Sequence, residues 1–292
     1  MKDFKGRTAF ITGGAEGIGF HIGRVLGRQG MNVMLADIDT AMLTEAVKAL
    51  QGEGLQVDGV PLDVALKEEW AVAAAKATAT FGKVHLLVGN AGVAATGAHK
   101  HLTEADWRWT IDVNLMGIVY GAQVFHPLMK AHGEGGHILN VASIAGIHGV
   151  SFSGPYCATK AAVVSLSECW RSEFKKDGIG VSVLCPGFVK SRVYDSYRNR
   201  QARYGGALYH DDLVKEKPAR KYNKELVVTG IDTEIAANRV LEGLRNDEFF
   251  IFTHPHYREL HQMRVQEMDA GFDRADASPA LVDVPRKGAI LT

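Results

Sequence analysis

Cysteine is scarce: three residues in 292 (Cys157, Cys169, Cys185). An odd, sparse set fits a reducing compartment better than a disulfide framework, so a cytoplasmic location is expected. Net charge is missing as well, since 33 Lys and Arg balance 33 Asp and Glu. The balance leaves no global field for nucleic acid or an anionic membrane surface, and neither is expected as a partner. No apolar run approaches the roughly 18–20 residues that cross a bilayer. The opening MKDFKGRTAFITGG enters a strand-like run at once, so no signal peptide is expected. No His/Cys/Asp/Glu spacing suits a metal ion, and no repeat of solenoid period is present. What is plentiful is hydrophobic residue, 46%, and glycine, 32 residues without collagen-like period, as in a folded protein with many tight backbone positions.

Strand-like and helical runs alternate along the chain. Thr8 to Thr12 is apolar or β-branched and leads through glycines into a helical pattern from Ile18 to Arg28. Asn32 to Ala36 reads as a buried strand, and Thr40 to Gln51 as a helix with Thr40 as its cap. Gln56 to Pro61 is extended, Leu66 to Phe81 helical, and Val84 to Val88 a strand closing on Gly89-Asn90-Ala91-Gly92. Glu104 to Lys130 is one long helical region or two with a break; His137 to Ser143 is a strand, Pro155 to Lys176 a helix, Ile179 to Cys185 a strand. After an irregular segment come a helix from Asp232 to Leu244, a strand from Glu248 to Thr253 and a helix from Tyr257 to Met268. Strands alternating with helices predict right-handed βαβ units: an α/β fold, a single-domain doubly wound parallel sheet with helices on both faces.

Between the first strand and helix lies Thr12-Gly13-Gly14-Ala15-Glu16-Gly17-Ile18-Gly19. Glycine permits a tight turn and close approach of a phosphate to the backbone, and the helix N-terminus offers free N–H groups. A plain strand-to-helix turn would use the same residues. Asp37 at the end of the second strand can accept hydrogen bonds from both hydroxyls of an adenosine ribose and would repel a 2′-phosphate. Glu16 adds a second negative charge and Ile38 supplies no cation, so NAD is favoured over NADP. Asp63 either bonds the adenine edge or caps the next helix.

Tyr156 and Lys160 stand four apart on a helix that opens at Pro155, and so share a face. A phenol is a poor base at neutral pH; a nearby ammonium favours the phenolate. Tyr156 could then take the hydroxyl proton of an alcohol while hydride leaves, with Ser143 orienting the same oxygen. His148 reads as a surface or substrate-lining loop residue, and Cys157 as a small buried side chain.

Together these residues resemble the short-chain dehydrogenase/reductase family over roughly residues 6–190: the glycine loop, Asp37, Asp63-Val64, Asn90-Ala91-Gly92, Asn114, Ser143, Tyr156, Lys160 and Pro186-Gly187. The resemblance implies a Rossmann fold and a catalytic tetrad of Asn114, Ser143, Tyr156 and Lys160. It implies that Lys160 also binds the nicotinamide ribose, that Asn114 holds a relay water, and that Asn90, Ala91 and Gly92 lie against the cofactor. Pro186 and Gly187 would contact the cofactor, Val189 would reach the nicotinamide amide, and Ser191, also expected at the cofactor, stands where family members commonly have Thr. Glu16 occupies a position where NADP-preferring members often have Lys or Arg.

Residues 190–224 hold ten Lys and Arg against four Asp and Glu, and five of the eight tyrosines. The family places a substrate lid here, so this insertion is expected to cover a large aromatic substrate, with an acidic group if the basic residues face it. Ile144, Phe188 and Tyr194 are expected beside Ser143 in the lining. The segments Met1-Lys2-Asp3-Phe4, Tyr204-Gly205 and Pro255-His256-Tyr257-Arg258 resemble the Cα-dehydrogenases of lignin-derived β-aryl ether breakdown. That resemblance implies oxidation of a secondary benzylic alcohol to an aryl ketone. A hydroxysteroid or alicyclic alcohol dehydrogenase remains an alternative, as does a non-catalytic dinucleotide-binding module. The family also implies a homodimer or homotetramer, paired through the long helices, and the chain beyond about residue 254 is a C-terminal extension of the one domain.

Overall fold

The computed structural model describes residue 1 and residues 3–208 and 219–285. These form two compact units, Met1–His254 and Pro255–Thr292. In the first unit seven strands form one sheet: β1 (Thr8–Thr12), β2 (Asn32–Asp37), β3 (Val57–Pro61), β4 (Leu86–Gly89), β5 (Gly136–Val141), β6 (Ile179–Cys185) and β7 (Phe250–Phe252). All pairs are parallel, and the order is β3-β2-β1-β4-β5-β6-β7. This is the doubly wound Rossmann arrangement, in which strand order reverses between β1 and β4 and opens a crevice at their carboxyl ends.

The central strands β1 and β4 are buried throughout because both faces are covered, whereas the edge strands β3 and β7 are partly exposed. On one face α1 (Gly17–Arg28), α2 (Thr40–Gly52) and α8 (Thr233–Arg245) bury Ile22, Leu26, Leu43, Leu50, Val240 and Leu244 against Ile11, Leu35 and Leu139. On the other lie α3 (Lys67–Phe81), α4 (Glu104–Ile111), α5 (Gly117–His132) and α6 (Gly154–Glu173). There Phe10, Trp70 and Phe125 pack ring against ring, with centroids 4.7 Å apart for Phe10 and Phe125. Gly121 makes room for the Trp70 indole: a Cβ there would lie 2.7 Å from it.

Two local expectations change. Thr40 is the first helical residue of α2; the cap is Asp39, whose side chain accepts from the Met42 amide at 3.1 Å. The long region after Glu104 is neither one regular helix nor two with a break: α4 and α5 are joined by a π-helical turn, Asp112–Met116, that carries Asn114. A π-turn adds a residue to the helical circuit and re-aims the side chains on it. In the irregular segment, short 3₁₀ turns occupy Val193–Asn199 and Ala202–Tyr204, followed by α7 (Ala219–Val228). Tyr209 lies outside the described residues, as does the side chain of Tyr222. The second unit contains α9 (Arg258–Asp276) and a 3₁₀ turn, Pro279–Leu281, and none of the residues of these two elements is buried.

Candidate active site

The crevice at the β1/β4 reversal widens into a cleft of about 800 Å³. Its walls include Gly13, Glu16, Gly17, Ile18, Asp37, Ile38, Asp63, Val64, Asn90, Ala91 and Gly92 on one side. Ser143, Ile144, Tyr156, Lys160, Pro186, Gly187, Phe188, Val189 and Ser191 also line it. Three expected residues do not line it. Gly19 packs instead: a Cβ there would lie 2.2 Å from the Gly13 carbonyl oxygen. Asn114 is fully buried behind the wall. Tyr194 stands outside the lining, with the Lys224 ammonium 5.4 Å from its ring centre.

The glycine loop fits a dinucleotide. Gly13 and Gly17 take φ of +60° and +62°, and a Cβ on Gly17 would meet only Ser191, at 3.6 Å. The Asp37 carboxylate accepts from the Ala15 amide (3.1 Å) and the Asp39 amide (3.0 Å), which fixes it at the end of β2 with lone pairs to spare. Burial raises its pKa, and these two amides work against that rise. Thr12 ties the loop to the strand beside it, its Oγ accepting from the Asn90 and Ala91 amides at 3.0 Å each. Asp63 is engaged already: one oxygen accepts from the Ala65 amide (3.1 Å), the other from Arg203 (2.6 Å). The Ala65 bond closes a turn ahead of α3, whose N-cap is Leu66 and which receives no side-chain capping bond, so Asp63 does not cap that helix.

Around Tyr156 the chemistry is enclosed. Lys160 is 3% exposed, and its ammonium donates to the Val141 carbonyl at 2.6 Å. Burial lowers its pKa to about 8. Burial also raises the pKa of Tyr156, against a hydrogen bond with Ser143 that lowers it. The expected depression by the ammonium is thus not the dominant effect here: Lys160 lies 5.7 Å from the ring centre and spends a proton on Val141. Asn114 holds the Val93 backbone at both ends, accepting from its N–H (2.8 Å) and donating to its carbonyl (2.9 Å), and reaches Thr159 at 3.2 Å. Cys157 is half-buried rather than buried; its sulfur accepts from the Val150 amide at 3.3 Å and steadies the loop before α6. His148, Val150 and Phe152 of that loop face the cleft. Phe152 has φ +64°, a conformation a bulky side chain rarely adopts.

The basic segment after Gly187 is bound to acids rather than left free. Arg192 and Arg198 pair with Glu16, Arg203 with Asp63, Arg200 with Asp106, and Lys190 with Asp232. Tyr197 donates to Asp106 and Tyr204 to Asp112, both from buried positions. Most of the described lid cations and two of its tyrosines therefore fasten the lid instead of awaiting an acidic aromatic substrate. The partners are distant in sequence, so only the clustering of charge hinted at them.

Among the described residues one group has metal-like proximity, His85, His132 and Glu134. Its ring nitrogens are already committed: His85 accepts from the Thr8 amide and bonds Glu134, while His132 bonds the Val84 carbonyl and accepts from the Glu134 amide. No helix of the described residues is long and apolar enough to cross a membrane.

Residues 7–202 match the short chain dehydrogenase family. The chain belongs to that family of oxidoreductases. It is 37% identical over 260 residues to a C alpha-dehydrogenase of Sphingobium sp. (strain NBRC 103272 / SYK-6), covering 89% of this chain and 84% of that protein. It is 32% identical to a CLA biosynthesis dehydrogenase/reductase of Lactiplantibacillus plantarum, covering 92% and 95%. Among solved structures, a short chain dehydrogenase/reductase from Burkholderia phymatum in complex with NAD superposes with a TM-score of 0.88 at 33% identity, over 93% of this chain and 97% of that one.

Proposed function

We propose that this short-chain dehydrogenase uses NAD to interconvert a secondary alcohol and its ketone, and that its substrate is a bulky aromatic, benzylic alcohol of the β-aryl ether kind. The observation that carries the first part is one continuous cleft holding both the glycine loop with Asp37 and the set Ser143, Tyr156, Lys160. NAD, when bound, supplies the hydride acceptor. Asp37 would hold the adenosine ribose hydroxyls and reject a 2′-phosphate; Asn90, Ala91, Gly92, Pro186, Gly187, Val189 and Ser191 would pack along the dinucleotide. Tyr156 takes the alcohol proton, Ser143 fixes the alcohol oxygen, Lys160 would bind the nicotinamide ribose, and Asn114 would hold the relay water.

The aromatic substrate is supported by an apolar wall of Ile144, Val150, Phe152, Phe188, Leu226 and Val227. Similarity to the Sphingobium C alpha-dehydrogenase points the same way. A panel of secondary alcohols tests it: kcat/KM with NAD should be highest for 1-aryl alcohols bearing a large second substituent, and NADP should serve at least about tenfold worse. A preference for alicyclic alcohols would overturn the aryl reading, and equal use of NADP the role of Asp37. We place the protein in the cytoplasm as a homodimer or homotetramer joined through α4, α5 and α6, where Ile111 and Leu128 are exposed. Light scattering after gel filtration checks the mass, and a monomer would remove that pairing.

A further inference from the structure

Glu16 is the residue that caps α1, yet it makes no capping bond to the helix, and the first turn of α1 carries no acid. A carboxylate at that position ordinarily folds onto the free amides of the first turn and satisfies them. Here it is turned away toward the lid. Arg198 pairs with one Glu16 oxygen, and Arg192 lies 3.6 Å from the other. Arg198 is itself held in place: its other Nη donates to the carbonyls of Arg192 (3.2 Å) and Asp195 (3.1 Å). Asp195 shares Arg192 at 3.4 Å, so two guanidiniums and two carboxylates make a balanced cluster. Glu16, Arg192 and Arg198 all line the cleft.

These amides are where a dinucleotide diphosphate docks in the proposed NAD site, and the present inference rests on that reading. A loose carboxylate one residue before the helix would compete for the same N–H groups and repel the dianion. We infer that Arg198, assisted by Arg192, is a positioning residue for cofactor binding: it draws Glu16 off the α1 N-terminus and neutralises it, leaving the amides open to the diphosphate. The lid thereby contributes to dinucleotide affinity through Glu16, without contacting the reacting atoms. It also gives a use to two cations of the basic segment that pair with Glu16.

Calorimetric affinities for ADP-ribose, and for adenosine as a probe without phosphate, test this on the wild type, R198M, E16Q and the double variant E16Q/R198M. R198M should weaken ADP-ribose by about tenfold or more while adenosine stays within about twofold. E16Q/R198M should recover most of that loss, because the competing carboxylate is gone although the lid pairing is still missing. R198K should fall between wild type and R198M. Unchanged ADP-ribose binding in R198M would overturn the inference. So would a double variant as weak as R198M, which would make Arg198 a direct ligand or a lid fastener. Equal weakening of adenosine would do the same by showing general loss of the site. Wild-type protein that binds neither ADP-ribose nor NAD would overturn the cofactor reading itself, a separate outcome.

Discussion

Tyr156 is raised in pKa by its enclosure and held down by Ser143, so its proton affinity sets when it can act as a base. The phenolate fraction grows as pH rises toward that raised value, and alcohol oxidation should accelerate with pH over the same range. Ser143→Ala removes the bond that opposes the rise; the pH profile of kcat should shift to higher pH, and an unshifted profile would contradict the contact. Phe152 makes a second residue-scale test. Its φ of +64° is costly for an aromatic side chain, on the order of 1–3 kcal/mol, while glycine accepts it freely. Phe152→Gly should therefore raise the melting temperature even as it removes an aromatic face from the cleft. A lowered melting temperature would mean that the side chain's packing outweighs the strain. Single residues of this kind were legible where a motif surrounds them, as for Tyr156 and Lys160. Phe152 was not, because backbone conformation in a loop leaves no periodic trace in sequence.

The π-turn and the lid are the elements that give the cleft its shape. Asn114 on the π-turn satisfies both backbone groups of Val93, so Asn114→Ala strands a buried donor and acceptor and should cost about 2–4 kcal/mol, read as loss of thermal stability. An effect on turnover alone, with stability intact, would argue against that structural role. The lid is anchored deeper still: Arg200 and Asp106 are both nearly inaccessible, 3.0 Å apart, and Tyr197 donates to the same carboxylate. Breaking that pair with Arg200→Met leaves a buried charge, so it should cost about 3–5 kcal/mol and expose residues 190–208 to limited proteolysis. Regular strands such as Thr8–Thr12 and Ile179–Cys185 were readable to the residue, since a buried parallel strand is rich in apolar and β-branched residues. The π-turn was not, because its period differs from that of the flanking helices by one residue. Nor were the lid pairings: Arg198 meets Glu16, and Arg203 meets Asp63, across spans that no local pattern links.

At the scale of the molecule, the sheet also carries a pH liability remote from the cleft. His137 on β5 is buried and neutral, bonded to Ser182 at 2.9 Å, and burial lowers its pKa from 6.5 to about 4. The folded state resists a proton that the unfolded chain accepts below 6.5. Stability is therefore full above that value and declines as pH falls toward 4, by on the order of 3 kcal/mol. Melting temperature followed from pH 7 to 4 should drop less in His137→Gln than in the wild type; parallel curves would discount the histidine. Balanced net charge revealed none of this, nor that the basic lid is neutralised by acids of the glycine loop and of α4. What length, alternation and the ordered motifs did disclose was the doubly wound sheet and the residues that gather in its crevice. The central claim is that Tyr156 removes the proton while hydride passes from the carbinol carbon to NAD. The most direct measurement uses a 1-aryl secondary alcohol deuterated at that carbon. The wild type should transfer deuterium to the nicotinamide ring and yield the ketone, and Tyr156→Phe should lose at least about a hundredfold in kcat while still binding NAD. Ketone formed without label in the nicotinamide, or a Tyr156→Phe enzyme of undiminished kcat, would contradict it.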